Sequence, residues 1–134
     1  MRLSLVLLTS MLSACAHPVG SVASAFPGIW YSGHAINKTD YRTDDCSYKA
    51  DGTFNCSAWD RGCSGTFCDA QSFSYSGTWS LAGDRLTRQT TSGIGPREPA
   101  TLQIQLNGRE LRLSSGERWF KSKEARFQHM WDAL

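Results

Sequence analysis

The sequence predicts an all-β domain: an eight-stranded up-and-down antiparallel barrel or curled sheet, followed by a short C-terminal α-helix. Three observations lead to this prediction. Apolar residues alternate with Ser, Thr and charged residues over most of positions 26–134, as in strands that bury one face. Glycine-bearing turn signals separate these segments, which indicates consecutive hairpins. Closing such a series into a barrel removes its exposed edges.

The alternating segments define the predicted strands in chain order. They are Ile29–Gly33, Asp45–Lys49, Thr53–Trp59, Ser72–Leu81, Arg85–Thr91, Thr101–Leu106, Arg109–Ser114 and Glu117–Lys121.

The turn after the second strand sets the pairing of that strand with the third. A three-residue loop at positions 50–52 (Ala-Asp-Gly), with the glycine in a left-handed conformation, places Tyr48 opposite Phe54 and Cys46 opposite Cys56. A two-residue loop would break both pairs. Cross-strand pairing of like side chains therefore favours the longer loop.

A second clear turn signal lies at positions 107–108 (Asn-Gly). A two-residue loop there places Ile104 opposite Leu111 and Leu102 opposite Leu113. In this register one face of the hairpin is apolar and the other is polar. The sequence therefore predicts a hairpin with one buried face.

The chain ends with a different period. Ser122 is a candidate N-cap, and Phe127, Met130, Trp131 and Leu134 recur with helical spacing. A helix this short is rarely stable without packing, so we expect the apolar stripe to lie against the outside or one end of the sheet. A helix face that binds a partner or a membrane is the alternative.

The first residues carry an export signal. Arg2 precedes the apolar stretch Leu3–Leu12, which is too short to span a bilayer. The sequence Leu12-Ser13-Ala14-Cys15 resembles the lipobox of bacterial lipoproteins. That resemblance implies a lipidated, palmitate-bearing Cys15. The alternative is an ordinary secretory signal cleaved near Ala16, with a spare thiol.

These observations divide the chain into three segments. Residues 1–14 are the predicted signal peptide, residues 15–25 the lipidated N-terminus and tether, and residues 26–134 one barrel domain. Ala16 follows the lipobox where enterobacterial lipoproteins of the inner membrane have Asp. By the same resemblance, the protein is expected at the outer membrane of a bacterial cell envelope, facing the periplasm.

The cysteine count fits an exported protein. Of five cysteines, lipidation of Cys15 leaves Cys46, Cys56, Cys63 and Cys68, an even set that predicts two disulfides in an oxidising compartment. The strand register favours Cys46–Cys56 and hence Cys63–Cys68, although other connectivities remain possible. A zinc site is the competing interpretation, but the spacing lacks the usual C-x2-C pairs.

Short motifs connect these strands to a known family. The sequence resembles small lipocalin-like (calycin) bacterial lipoproteins at Gly28-Ile29-Trp30, Gly77-Thr78-Trp79, Gly83-Asp84-x-Leu86 and Leu111-x-Leu113. The resemblance implies a barrel whose closed end is plugged by Trp30. It also implies that Arg118 or Arg112 stacks on that tryptophan.

Two functional hypotheses follow. In the first, the barrel is a binding module for a small apolar ligand. The expected lining is Tyr48, Phe54, Phe73, Tyr75 and Trp79. The domain is short, so an interior filled by aromatic side chains is the alternative.

In the second hypothesis, the protein acts on another envelope protein, for example as an inhibitor of a lysozyme or protease. The polar segment Asp60–Gln71 is expected to form a disulfide-clamped loop, and Ser92–Pro99 a second loop held open by prolines. Arg61, Asp69 and Arg97 are the expected contact residues.

No catalytic motif is present, so no enzyme activity, cofactor or metal is predicted. The histidines are isolated in sequence. Asp40, Asp44 and Asp45 offer oxygens for calcium but lack the Gly and Glu of a loop site, which favours a solvated acidic turn. A formal net charge of +2 does not favour nucleic-acid binding. The oligomeric state is left open.

Overall fold

The computed structural model describes residues 22–134. In this part of the chain, eight strands form a closed antiparallel barrel in which the last strand pairs with the first. The predicted fold class is thereby confirmed. The elements are α1 (Val22–Ala25), β1 (Gly28–Ala35), β2 (Tyr41–Tyr48), β3 (Thr53–Ser64), β4 (Phe67–Ala82), β5 (Arg85–Gly93), β6 (Ala100–Asn107), β7 (Glu110–Leu113), β8 (Arg118–Phe120) and α2 (Lys123–Asp132).

The barrel has two different ends. The short turns 49–52, 83–84 and 108–109 surround the end at which the chain enters β1, and we call this the closed end. The connections 36–40, 65–66, 94–99 and 114–117 surround the opposite end, which we call the open end. Among residues 22–134, no helix has the length and apolar character needed to cross a membrane.

The β2–β3 hairpin has the predicted register. Tyr48 pairs with Phe54 and Cys46 pairs with Cys56, and the latter pair forms a disulfide. Gly52 has a φ of +87°, the left-handed conformation that the three-residue loop requires. The cross-strand matching of side chains was therefore a sufficient guide to this register.

The β6–β7 hairpin corrects the predicted register by two residues. Ile104 pairs with Leu113, and the loop is formed by residues 108–109, so Asn107 remains in the strand. Gly108 has a φ of +64°, whereas no non-glycine residue among those described has a positive φ. A type II′ turn needs a positive φ only at its first loop position, which spares Asn107 the left-handed conformation. A shift of two keeps the apolar face intact.

The β3–β4 hairpin corrects another expectation. Residues 60–71 do not form a loop: strand pairing continues to Ser64 and Phe67, with only residues 65–66 in the turn. The Cys63–Cys68 disulfide joins directly paired residues, which confirms the predicted connectivity. This stretch lacks apolar alternation because both of its faces are exposed, so the sequence pattern did not predict a strand here.

The far part of this hairpin extends beyond the barrel wall. The pairing of β2 with β3 ends at Arg61, and the pairing of β5 with β4 begins only at Tyr75. Residues 62–69 therefore form a two-stranded projection at the open end. We call this segment the hairpin tip.

The closed half of the barrel is filled by aromatic side chains. Phe26, Trp30, Tyr48 and Phe54 are each at most 2% exposed, and the Phe26 ring lies 4.7 Å from the Tyr48 ring between centroids. The indole N–H of Trp30 donates to the Phe26 carbonyl at 2.7 Å. The first residues of the domain thus close this end of the barrel.

The cation on Trp30 is not the expected arginine. The ammonium of Lys121 lies 3.8 Å from the Trp30 ring centroid. Arg118 instead pairs with Glu110 and lies over the Phe120 ring, while Arg112 is on an outward-facing position of β7. The lysine follows β8 directly and reaches the ring from the closed end, which replaces the stacking that the family resemblance implied.

Helix α2 covers β1 and β8 from outside. The Ser122 side chain accepts a hydrogen bond from the Ala125 amide at 3.1 Å, which confirms the predicted N-cap. Met130 is buried over Gly33, but Leu134 lies beyond the helix and is 51% exposed. The stripe packs on the sheet as expected, with Arg126 buried in place of the terminal leucine.

Candidate functional site

A polar cleft of about 520 Å³ opens into the barrel at the open end. Trp30 and Trp119 belong both to the aromatic core and to the cleft lining, so the filled half of the barrel forms its floor. Its walls include Asp44, Tyr75, Arg88 and Glu117. A cleft with an aromatic floor and a few charged groups can hold a small molecule in a defined orientation.

One wall of the cleft is an ordered polar network. Arg42 donates to both carboxylate oxygens of Asp44, at 2.7 and 2.9 Å, and the hydroxyl of Tyr75 donates to Asp44 at 2.6 Å. Burial, followed by the charge of Asp44, raises the pKa of Tyr75 above its ordinary value. Tyr75 therefore stays protonated and donates to the carboxylate from β4, while Arg42, two residues from Asp44 on the same face of β2, holds it from the side of the open end.

Arg88 reaches the cleft from the other side. Its Nη1 donates to the Tyr48 hydroxyl at 2.5 Å, and its guanidinium carbon lies 5.4 Å from the Phe54 ring centroid and 5.3 Å from that of Trp119. Burial raises the pKa of Tyr48 to about 12, although the charge of Arg88 acts in the opposite direction. The arginine is thus positioned by aromatic faces and a neutral hydroxyl.

Two histidines also line the cleft. His34 comes from β1 and is exposed, whereas His129 comes from α2. The Nδ1 of His129 lies 3.3 Å from Nη1 of Arg118. Burial, and then the positive charge of Arg118, lowers the pKa of His129. Because they come from elements far apart in sequence, no spacing argument could have connected them.

The five residues predicted to line a ligand cavity lie in different places. Tyr48 and Phe54 are buried in the core with their rings 5.6 Å apart. Trp79 and Phe73 are partly buried against that core. Tyr75 lines the cleft.

Sequence reasoning missed the charged residues of the cleft. Arg88 lies between Leu86 and Thr90 on β5, and both of these flanking residues are buried. Since side chains alternate along a strand, an arginine two residues from each lies on the inward face. That alternation within a predicted strand was the available signal.

The residues predicted for protein contact lie on two segments. Arg61 and Asp69 are on the β3–β4 hairpin, and Asp69 is exposed on the hairpin tip. Arg97 lies in the connection 94–99 and donates to the Gly93 carbonyl at 2.8 Å.

The three aspartates considered for calcium each have other partners. Asp40 accepts from the Cys63 amide at 2.6 Å, Asp44 binds Arg42, and Asp45 pairs with Arg126. Within residues 22–134, no group of three or more His, Cys, Asp or Glu could hold a metal ion.

Comparison with known proteins adds no relative. No family model, no curated protein and no solved structure matches this chain. The predicted lipidation site, Cys15, lies outside the residues that the structure describes. The closed eight-stranded antiparallel barrel with its C-terminal helix is consistent with the lipocalin-like resemblance of the sequence.

Proposed function

We propose that this protein is a lipocalin-like binding module of the bacterial envelope that holds a small molecule in the open-end cleft. The observation that carries this proposal is the cleft itself, about 520 Å³ with an aromatic floor and polar walls. Small-molecule sites commonly occupy about 300–1,000 Å³ and occur in the mouths of barrels. The proposed activity is binding.

The filled half of the barrel limits the ligand. The packed rings of Phe26, Tyr48 and Phe54 leave no room for a long extended chain below the floor. A compact ligand would place an apolar face on Trp30 and Trp119 and its polar groups near the walls. The small apolar ligand expected from sequence is therefore refined to a compact amphiphile.

Filling the cleft tests the proposal. Ser32 is buried on β1 and lines the cleft, so Ser32→Phe should place a ring in the ligand's space. Ser57→Phe is a matched control, because Ser57 is exposed on β3. With N-phenylnaphthylamine as a fluorescent probe, we expect saturable enhancement with the native protein and with Ser57→Phe, and loss of about tenfold or more in affinity with Ser32→Phe. Equal binding by all three proteins would refute the cleft as the site.

We further propose that Cys15 carries the lipid that holds the barrel at the outer membrane. Residue Phe26 enters the barrel at the closed end, so a tether there would direct the cleft away from the lipid surface. Labelled palmitate should mark the native protein and fail to mark Cys15→Ser. Label retained by the serine variant would contradict the anchor.

The hairpin tip supports a second candidate, interaction with an envelope protein such as a lysozyme or protease. The tip projects beyond the barrel, is closed by the Cys63–Cys68 disulfide, and exposes 71% of Phe67. A cross-linked loop loses little conformational freedom on binding. If the tip inhibits such an enzyme, Phe67→Ser in the tip and Arg61→Asp at its base should reduce the inhibition. Unchanged inhibition would exclude the tip.

A further inference from the structure

Arg88 differs from the other cleft cations in its charge environment. Arg42 is paired with Asp44, and Arg118 is paired with Glu110. None of the ion pairs formed within residues 22–134 includes Arg88. No carboxylate lies within ion-pair distance of this half-buried guanidinium, and the exposed Glu117 of the cleft acts on it only at longer range. This is an uncommon arrangement, because removing a charge from water is costly unless a close opposite charge compensates it.

The hydrogen bonding of Arg88 is also incomplete. A guanidinium has five N–H donors, and within the described part of the chain that of Arg88 forms one side-chain hydrogen bond, to Tyr48. Tyr48 is neutral because burial raises its pKa to about 12, so it supplies no negative charge. Phe54 and Trp119 flank the group with ring faces. The guanidinium of Arg88 is thus held between aromatic rings and lines the cleft with donors that are unpaired within the described residues.

We propose that Arg88 binds the anionic group of the cleft ligand, which is a compact organic monoanion with an apolar or aromatic body. This rests on the proposed function of the cleft. The free donors of the guanidinium match the two oxygens of a carboxylate or sulfonate. The apolar body of the same molecule lies on Trp30 and Trp119, which form the floor.

The surrounding charges limit the anion to a single negative charge. Asp44 is held in the opposite wall, and the exposed carboxylate of Glu117 also lines the cleft. Asp44 is compensated by Arg42, so a dianion such as a phosphate monoester would bring its second charge near Glu117 with no free cation other than Arg88 to offset it. The arrangement therefore favours a carboxylate or sulfonate over a phosphate.

Two fluorescent probes with nearly the same body test this assignment. Anilinonaphthalene sulfonate carries one negative charge, and N-phenylnaphthylamine lacks it. We expect the native protein to bind the sulfonate about tenfold more tightly than the neutral probe, because one charge-assisted hydrogen bond increases affinity by about that factor. In Arg88→Gln, the affinity for the sulfonate should fall by about tenfold relative to that for the neutral probe, so that this ratio approaches one.

Two control variants test whether the preference for the anion depends on Arg88 itself and not on the net charge of the protein or on the Tyr48 hydroxyl. Arg85→Gln removes an exposed cation from the same strand at the closed end and should keep the native ratio. Tyr48→Phe removes the hydroxyl partner but keeps the guanidinium, and should also keep a preference for the anion. If Arg88→Gln does not fold, as judged by circular dichroism, competition on the native protein decides: benzoate should displace the sulfonate probe and benzamide should not.

The outcomes distinguish this inference from the proposed function. If neither probe binds in the cleft, the proposed function fails and the inference fails with it. If the neutral probe binds but the sulfonate has no advantage, or if the advantage survives in Arg88→Gln, the cleft function stands and the anion assignment is overturned. Equal displacement by benzoate and benzamide overturns it as well.

Discussion

Glu110 is the clearest example of one residue organising its neighbours. It lies at the start of β7 and accepts hydrogen bonds from Arg118 on β8 and from Arg112, the latter at 3.1 Å. The Arg118 guanidinium, and then Arg112, lower the pKa of Glu110 from 4.5 to about 2. A pKa lowered by folding means that the ionised carboxylate stabilises the native state.

Protonation of the Glu110 carboxylate should lower the free energy of unfolding at acidic pH. The stabilisation is fully present above pH 4.5 and is lost as the pH falls towards 2. We therefore expect Glu110→Gln to lower the free energy of unfolding by about 1 kcal/mol at neutral pH, as for a solvent-screened ion pair. The native and variant curves should converge near the acid end.

Urea unfolding measured from neutral to acidic pH tests this expectation. Glu98→Gln, in an exposed connection at the open end, is the control and should follow the native curve throughout. A constant offset between Glu110→Gln and the native protein at every pH would show that the ionisation of Glu110 is not the source of the stabilisation.

At the same scale, sequence reasoning located side chains whose partners are fixed by strand pairing. The Cys46–Cys56 disulfide and the Tyr48–Phe54 pair both followed from one turn length. It did not locate partners that come together only in three dimensions. Lys121 reaches Trp30 from the segment after β8, and no local pattern distinguishes it from the neighbouring arginines.

Among the elements, α2 is held by an ion pair that its apolar stripe did not reveal. Arg126 is 3% exposed, pairs with Asp45 on β2, and leaves its Nε without a partner. Its guanidinium also lies 5.5 Å from the Tyr31 ring centroid and 4.7 Å from that of Phe127. The helix is thus docked by a buried cation as well as by Met130.

The two members of this pair should respond unequally to substitution. Asp45→Asn leaves Arg126 buried without a counter-charge, whereas Arg126→Met leaves Asp45, which is 33% exposed, in contact with water and Lys123. We expect Asp45→Asn to lower the free energy of unfolding by about 2 kcal/mol. This is less than the roughly 3–5 kcal/mol expected when one member of a fully buried ion pair is removed. Arg126→Met should lower the free energy of unfolding by about 1 kcal/mol or less, since the methionine side chain retains the apolar packing of the arginine stem.

Thermal and urea unfolding of the two variants measures this difference. Asp69→Asn, in the exposed hairpin tip, is the control for removal of one carboxylate. A larger loss for Arg126→Met than for Asp45→Asn would mean that packing of the arginine, and not its charge compensation, holds α2 on the barrel.

The hairpins show where element-level prediction succeeded and where it stopped. Their existence followed from alternation and turn residues, but the register of β6 and β7 was misplaced because Asn-Gly was taken as the loop and Gly108 actually begins it. The hairpin tip was missed as strand because it buries neither face. Its ladder is formed by backbone pairing and the Cys63–Cys68 disulfide.

For the whole molecule, the barrel was predictable because each strand pairs with its neighbours in sequence, and only the closing pair, β1 with β8, joins strands that are distant in the chain. The cleft was not predictable in the same way. Its floor and walls combine residues from β1, β2, β4, β5, the connection 114–117, β8 and α2, and its depth depends on how far the aromatic core fills the barrel. That balance between filled and open space is a property of packing.

The central claim is that the open-end cleft is the binding site of this barrel. An NMR titration of the labelled protein with anilinonaphthalene sulfonate tests it most directly, because backbone amides report the location of the ligand. We expect saturable shift changes concentrated at Ser32–His34, Tyr75, Arg88 and Gly116–Trp119, with little change at the closed-end turns. Shift changes confined to the hairpin tip or to the closed end would contradict the account.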